Sequence, residues 1–297
     1  MKSCWDSAPC CWPIGRTART PPWWIPLSDP INRRGVLVDS HCHLDAPEFD
    51  VDREAVINRA RLAGVLQQVV PAIAAAYWPK LRELCRQHSG LFPAYGLHPM
   101  FLTEHEPDHL ELLGEWIAGE RPLAVGECGL DYFVDGLDPD VQQLYFDGQL
   151  ALARDFDLPV IVHARHAVDA VIAAIKRIGN LRGVVHSFSG SPEQARQLWR
   201  LGFLIGIGGP ATYDRANRLR RLVADMPLEY LLLETDAPDQ PDAGIRGQRN
   251  EPARLSAICH AVAELRGQAA EEIALATTAN ARALFKLPTP ASADALA

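Results

Sequence analysis

Val36-Leu37-Val38-Asp39-Ser40-His41-Cys42-His43 is the stretch whose reading decides the fold. An apolar run of strand character ends abruptly in Asp-Ser-His-Cys-His. Alternate side chains of a strand share a face, so His41 and His43 project the same way. Two imidazoles on one face at a strand's end can grip a single divalent ion, since imidazole suits Zn, Fe and Ni and tolerates Mn. A His-x-His pair also recurs by chance, so its meaning rests on what else reaches the same place. An open doubly wound sheet would carry a glycine-rich phosphate-binding turn after its first strand. Here that turn is His-Cys-His.

From Gly35 onward, strands and helices alternate. Strands are predicted at Val36–Asp39, Leu66–Val70, Leu91–Leu97, Leu123–Glu127, Val160–His163, Gly183–His186, Phe203–Ile207 and Tyr230–Glu234. Helices are predicted between them, among them Asp52–Ala63, Ala76–His88, Asp108–Ala118, a long one ending near Phe156, and one starting after Ser191-Pro192-Glu193. Two more, Glu251–Arg266 and Ala270–Phe285, close the pattern. Short, continuously apolar strands imply a parallel sheet buried on both faces. Eight strand-helix units is the number that closes a (β/α)8 TIM barrel of the α/β class.

The strand ends then carry the chemistry. Strand one gives His41 and His43, strand four Glu127, strand five His163, strand six His186 and strand eight Asp236. In a closed barrel these converge on one rim, where barrel enzymes place their active sites. Any one of them could be a helix cap or a buried polar partner, but six ligand-type side chains at five strand ends argue for a shared purpose. Four histidines and two carboxylates can bind two divalent ions (Mg, Mn or Zn), held roughly 3.5–4 Å apart by a shared carboxylate. Glu127 lies between the two histidine sets in strand order and is the natural bridge. One ion would take His41, His43 and Asp236, the other His163 and His186. Asp236 is also placed to take a proton from the attacking water as general base.

Composition bounds the rest. The chain has 297 residues, 48% hydrophobic and 22% charged, enough for one large domain with its own core. No apolar run approaches the roughly 18 residues of a membrane span, so a soluble protein without membrane partners is expected. A formal charge of −8 argues against a broad basic nucleic-acid surface, though not against a nuclease whose metals meet the phosphate directly. Seven cysteines without paired spacing fit reduced thiols and a cytoplasmic location. Cys42 and Cys128 stand beside suspected ligands, yet their side chains should point to the opposite face and pack.

Three segments are expected: an extension at 1–34, the barrel at 35–287, and a small polar tail at 288–297. Met1 to Pro30 holds six prolines and four tryptophans with no periodic pattern, which reads as a poorly ordered extension dispensable for chemistry.

Ordered motifs along the barrel carry a family resemblance. They are Asp39-Ser-His-Cys-His-Leu-Asp45, Gly96-Leu-His-Pro99, Gly126-Glu-Cys-Gly-Leu-Asp-Tyr132, Pro159-Val-Ile-Val-His-Ala-Arg165, His186-Ser-Phe-Ser-Gly190 and Glu234-Thr-Asp-Ala-Pro238. Together they resemble the signatures of TatD-family metal-dependent hydrolases, most of them described as magnesium-dependent deoxyribonucleases of the amidohydrolase superfamily. Gly206-Ile-Gly-Gly209 and Gly247-Gln-Arg-Asn250 resemble the YjjV-like branch. The resemblance implies the same six metal ligands and a phosphodiesterase acting on DNA, with single-stranded or frayed ends as substrate. Cys128 stands where the family usually has an aliphatic residue, and Ala164 where it often has Ser.

On the same rim, His98 is expected to contact substrate phosphate or water, with a buried helix cap as the plainer reading. Arg165 is expected to hold a phosphate bidentately or to pair with a rim acid such as Asp131. Asp45 and Asp131 are expected to orient ligating histidines. Arg246 and Arg249 could meet a nucleic-acid backbone or simply be solvated. The competing reading keeps the scaffold and changes the reaction to that of a lactonase, amidase or aminoacyl-tRNA deacylase, since fold does not fix function.

Overall fold

The computed structural model describes residues 36–289. The expected extension at 1–34 and most of the tail after 288 therefore lie outside the described residues. Eight parallel strands alternate with helices: β1 Leu37–Asp39, β2 Val65–Pro71, β3 Leu91–Ala94, β4 Val125–Asp131, β5 Val160–Arg165, β6 Gly183–Val185, β7 Phe203–Ile207 and β8 Leu231–Leu233. The helices between and after them are α1 Arg53–Leu62, α2 Trp78–Gln87, α3 His109–Glu120, α4 Pro139–Asp155, α5 Val168–Ile178, α6 Pro192–Arg200, α7 Asn217–Asp225, α8 Leu255–Arg266 and α9 Ala270–Phe285.

The ladder forms two arcs, β1-β2-β3 and β4 through β8 in order. Two narrow seams join them. At one, Tyr95 pairs with Val125 in a single parallel bridge, and Gly126 N donates to Tyr95 O at 2.8 Å. At the other, Ser40 N donates to Leu233 O at 3.0 Å and Asp236 N to His41 O at 2.9 Å. The seams close the expected (β/α)8 barrel.

Two apolar layers follow from closure. Inside the barrel, Val38, Val69, Ala94, Ala124, Ile161, Val184, Leu204 and Leu232 meet, one contributed by or beside each strand. The end of α9 and the residue just after Lys286 plug the floor with Leu284, Phe285 and Leu287. Gln67 Nε2 then pins the chain by donating to Pro288 O at 2.8 Å. The larger layer lies between strands and helices and includes Cys42 and Cys128, both fully buried there as packing thiols. Among the described residues no helix is long and apolar enough to cross a membrane.

Local chemistry explains the element ends. Ser191 caps α6 with a complete capping box: its hydroxyl accepts from Gln194 N while the Gln194 amide accepts from Ser191 N. Asp138 caps α4, with Pro139 at the first helical position. The largest departure from the predicted elements is β4, which was expected to stop at Glu127 but runs to Asp131. Gly129 permits this: with φ at +143°, a Cβ there would lie 2.0 Å from His163 O, so only glycine lets the two strands stay paired. Strand three ends early, at Ala94, and α8 begins at Leu255 after a short 3-10 turn, Pro252–Arg254.

Candidate metal centre

The seam between β8 and β1 builds half of the site. The Asp39 carboxylate is fully buried and accepts from Thr235 N at 3.0 Å, Thr235 Oγ1 at 2.6 Å and His41 N at 3.3 Å. Burial pushes this carboxyl up to about 7 despite those donors. The knot fixes the turn after β1 against the turn after β8, where His43 N also donates to Ala237 O at 2.7 Å. Asp236 sits in the left-handed region, φ +58°, a conformation Asp tolerates better than most residues. The result is convergence. His41 Nε2 lies 3.2 Å from His43 Nε2 and 3.4 Å from Asp236 Oδ1.

The other half comes from β4, β5 and β6. The register of β4 shifts between Val125 and Cys128, and Glu127 stands in that irregularity, with its N–H bonded to Ala72 O. Bulges of this kind re-aim a side chain beside active sites. Glu127 is buried and its two oxygens face different groups. Oε2 lies 3.2 Å from His41 Nε2 and 3.4 Å from His43 Nε2. Oε1 lies 2.7 Å from His186 Nε2 and 3.2 Å from His163 Nδ1. His163 Nδ1 and His186 Nε2 are themselves 3.3 Å apart.

Second contacts decide which ring nitrogen is free. His163 Nε2 donates to Asp131 Oδ2 at 2.9 Å, leaving Nδ1 as the lone-pair nitrogen toward Glu127. His43 Nδ1 donates to Pro71 O at 3.2 Å and leaves Nε2 for the centre. Asp131 therefore holds the His163 ring in a fixed orientation. Asp45 does not bond any of these imidazoles; it faces His43 only through its charge.

Two pairs of imidazole nitrogens, His41 with His43 at 3.2 Å and His163 with His186 at 3.3 Å, are not satisfied unless cations or protons lie between them. The electrostatics agree. Burial opposes charge on Glu127, yet the imidazoles of His98, His186 and His41 hold its carboxyl well below the usual range. Burial alone would lower His43 and His186, but Glu127 and Asp236 outweigh it and push them up to about 9 and about 10. Burial and His186 together hold His41 well below its ordinary value. The centre thus draws positive charge, which divalent ions would supply while displacing protons from the ligands. The donor set, imidazole plus carboxylate, fits Zn or Mn and accommodates Mg.

The remaining expected residues divide. His98 reaches the centre: Nδ1 accepts from Met100 N at 3.1 Å, so Nε2 carries the hydrogen and donates to Glu127 Oε1 at 3.0 Å. Burial pushes His98 down to about 4, which keeps it neutral. Both ring nitrogens are occupied within the protein, leaving none for the expected contact to substrate or water. Arg165 forms no salt bridge with Asp131; its guanidinium carbon lies 3.8 Å from the Phe133 ring centre. Arg249 is a structural clamp, paired with Asp52 through two bonds of 2.8 Å and stacked over Phe49.

Three contributors escaped the sequence reading. Gln240 Nε2 bonds Asp236 Oδ2, while its Oε1 accepts from Ser187 Oγ at 2.8 Å. Asn250 Nδ2 ties the same loop to Thr235 O at 2.9 Å and Asp239 O at 2.8 Å. Glu234, fully buried behind His186, accepts from Ser187 N, and burial pushes its carboxyl up to about 8. Glu234 and Asn250 fall inside motifs already quoted, but nothing local marks Gln240.

A closed parallel barrel that gathers paired histidines, a central glutamate and an aspartate on its carboxyl-terminal rim is the setting of a metal-dependent barrel enzyme. The family model described as "TatD related DNase" matches residues 38–286, and the chain belongs to the TatD family. It is 44% identical over 255 residues to the uncharacterized metal-dependent hydrolase YjjV of Escherichia coli K12, covering 84% of this chain and 98% of that one. The crystal structure of YjjV superposes with a TM-score of 0.82 at 42% identity, covering 87% of this chain and all of that one. The 3'-5' ssDNA/RNA exonuclease TatD of Erwinia tasmaniensis is 36% identical over 259 residues, 84% of this chain and 100% of that one.

Proposed function

We propose that this protein is a two-metal phosphodiesterase that removes nucleotides from unpaired ends of DNA. The observation that carries the reading is the division of Glu127, one oxygen toward His41 and His43 and the other toward His163 and His186. A carboxylate shared in this way would serve two cations at once. Asp236 completes the His41 and His43 set. His41, His43, Glu127, His163, His186 and Asp236 would hold the divalent ions, which would supply an acidified water and charge neutralisation at the phosphoryl group.

The chain's own groups do the rest. Asp236 has one oxygen held by Gln240, so Oδ1 is the atom that faces the centre and can accept the water's proton. His98 keeps Glu127 oriented through Nε2. Arg165, with its guanidinium on the Phe133 ring, would hold a substrate phosphate. The exonuclease name borne by the Erwinia relative supports this substrate class.

The test is a substrate panel under each metal. Protein stripped of metal should be inert, and Mg or Mn should restore release of mononucleotides from single-stranded DNA. Lactones, amides and aminoacyl-tRNA run alongside. Robust ester or amide turnover with no nucleotide released would overturn the nuclease reading.

A further inference from the structure

Beside the metal centre the rim carries groups that hydrolysis itself does not need. Asp131, which holds His163, is followed by Tyr132 and Phe133, consecutive rings exposed by 42% and 52%. Rings left this open gain little from leaving water. The loop is nonetheless pinned. Asp131 Oδ1 accepts from Phe133 N at 2.9 Å and Val134 N at 3.1 Å, and Tyr132 N donates to Arg165 O at 2.9 Å.

At the end of β5, Arg165 lays its guanidinium on Phe133, and His166 meets the same ring edge-on with centroids 5.0 Å apart. A guanidinium stacked on a ring is held in place while its in-plane N–H edge stays open, and that edge matches a phosphate. Tyr132 and His166 also line a cleft of about 560 Å³, together with Ser189, Gly190 and Arg218. That volume lies within the range of sites that enclose small molecules, about 300–1,000 Å³. Arg218 donates to Ser189 O and brings a cation to the cleft, while Asp169, also in its lining, accepts from Gln194 Nε2 at 2.8 Å.

Resting on the nuclease reading, we propose that this cleft is a nucleotide subsite in which an unpaired base stacks on Tyr132. The Arg165 edge holds the neighbouring phosphate as the strand passes to the metal centre, and Phe133 positions Arg165. Stacking on a protein ring requires a base face that a duplex hides, so the ligand class is unpaired nucleic acid.

The experiment compares metal-reconstituted wild type, Tyr132→Ala, Tyr132→Phe and Arg165→Gln on oligothymidylate and on the same strand with abasic residues near its end. Wild type should favour the intact strand by about tenfold in kcat/KM, the scale of one base–aromatic stack. Tyr132→Ala should bring the intact strand down to the abasic rate, mainly through KM, and Tyr132→Phe should retain the preference. Arg165→Gln should slow both strands alike. Equal preference in wild type and Tyr132→Ala, with nucleotides still released, would overturn the subsite and leave the nuclease reading intact. No nucleotide released from either strand by any form would sink the nuclease reading, and the subsite with it.

Discussion

Gly206→Ala reaches the site through packing alone. Gly206 lies in β7, against the Glu234 side chain that backs His186. A Cβ there would fall 2.2 Å from Glu234 Oε2, 2.7 Å from Cδ and 2.8 Å from Oε1. Glu234 is fully buried, and its Oε1 accepts from Ser187 N, so it has no free direction in which to retreat. Overpacking a filled core costs about 1–3 kcal/mol. Breaking the Ser187 bond and leaving buried groups unpaired adds a further contribution of about 1–3 kcal/mol. A total of about 3 kcal/mol, spread over a domain of this size, corresponds to a fall in Tm of roughly 6–12 °C. Calorimetry on wild type, Gly206→Ala, Glu234→Ala and the double variant gives the answer. The double variant should be more stable than the sum of the two single losses predicts, because removing the Glu234 carboxyl makes room for the methyl group. A Tm within a degree or two of wild type for Gly206→Ala, or strict additivity in the cycle, would refute the packing argument.

Three further outcomes are expected. Phe285→Ala opens the barrel floor far from the rim and should cost about 3–5 kcal/mol of stability in calorimetry while activity per folded molecule is kept. Asp131→Asn replaces a charged acceptor at His163 Nε2 and should weaken metal affinity by about 10–100-fold in competition with a chelator. Asp242, held below the usual carboxylate range against burial by Arg254, contributes stability above the ordinary Asp pKa that is lost as pH falls through its lower folded value. Arg254→Met should therefore flatten the stability profile in the acid limb of a urea titration; an unchanged profile would argue against the pair's role.

Much of this molecule is legible from the chain because its local preferences agree. Phe203–Ile207 and Ala270–Phe285 fall where periodicity puts them, and Ser191-Pro192-Glu193 caps α6 as its chemistry demands. The six proposed ligands also converge: His41, His43, His186 and Asp236 stand just past strand ends, His163 lies near the end of β5, and Glu127 is turned inward by the irregularity within β4. The reading falters where backbone contacts decide. Cys128-Gly-Leu-Asp131 is read as the start of a loop after the strand Leu123–Glu127, yet Gly129 lets β4 stay paired with β5 through it. His98 looks like a substrate contact, and only the Met100 N–H on its Nδ1 reveals that it serves Glu127. Gln240 could not be found from spacing, since its link to Asp236 and Ser187 exists only once the loop after β8 folds back over the rim.

The central claim is that Glu127 serves two metal ions at once, and metal stoichiometry tests it most directly. Wild-type and Glu127→Ala protein, each saturated with Mn or Zn and freed of excess ion, are assayed by elemental mass spectrometry beside calorimetry of the metal-free forms. The account predicts two ions per chain for wild type and loss of most of both from Glu127→Ala, with the two metal-free barrels similarly folded. Saturation of wild type at one ion, or retention of both by Glu127→Ala, would contradict it.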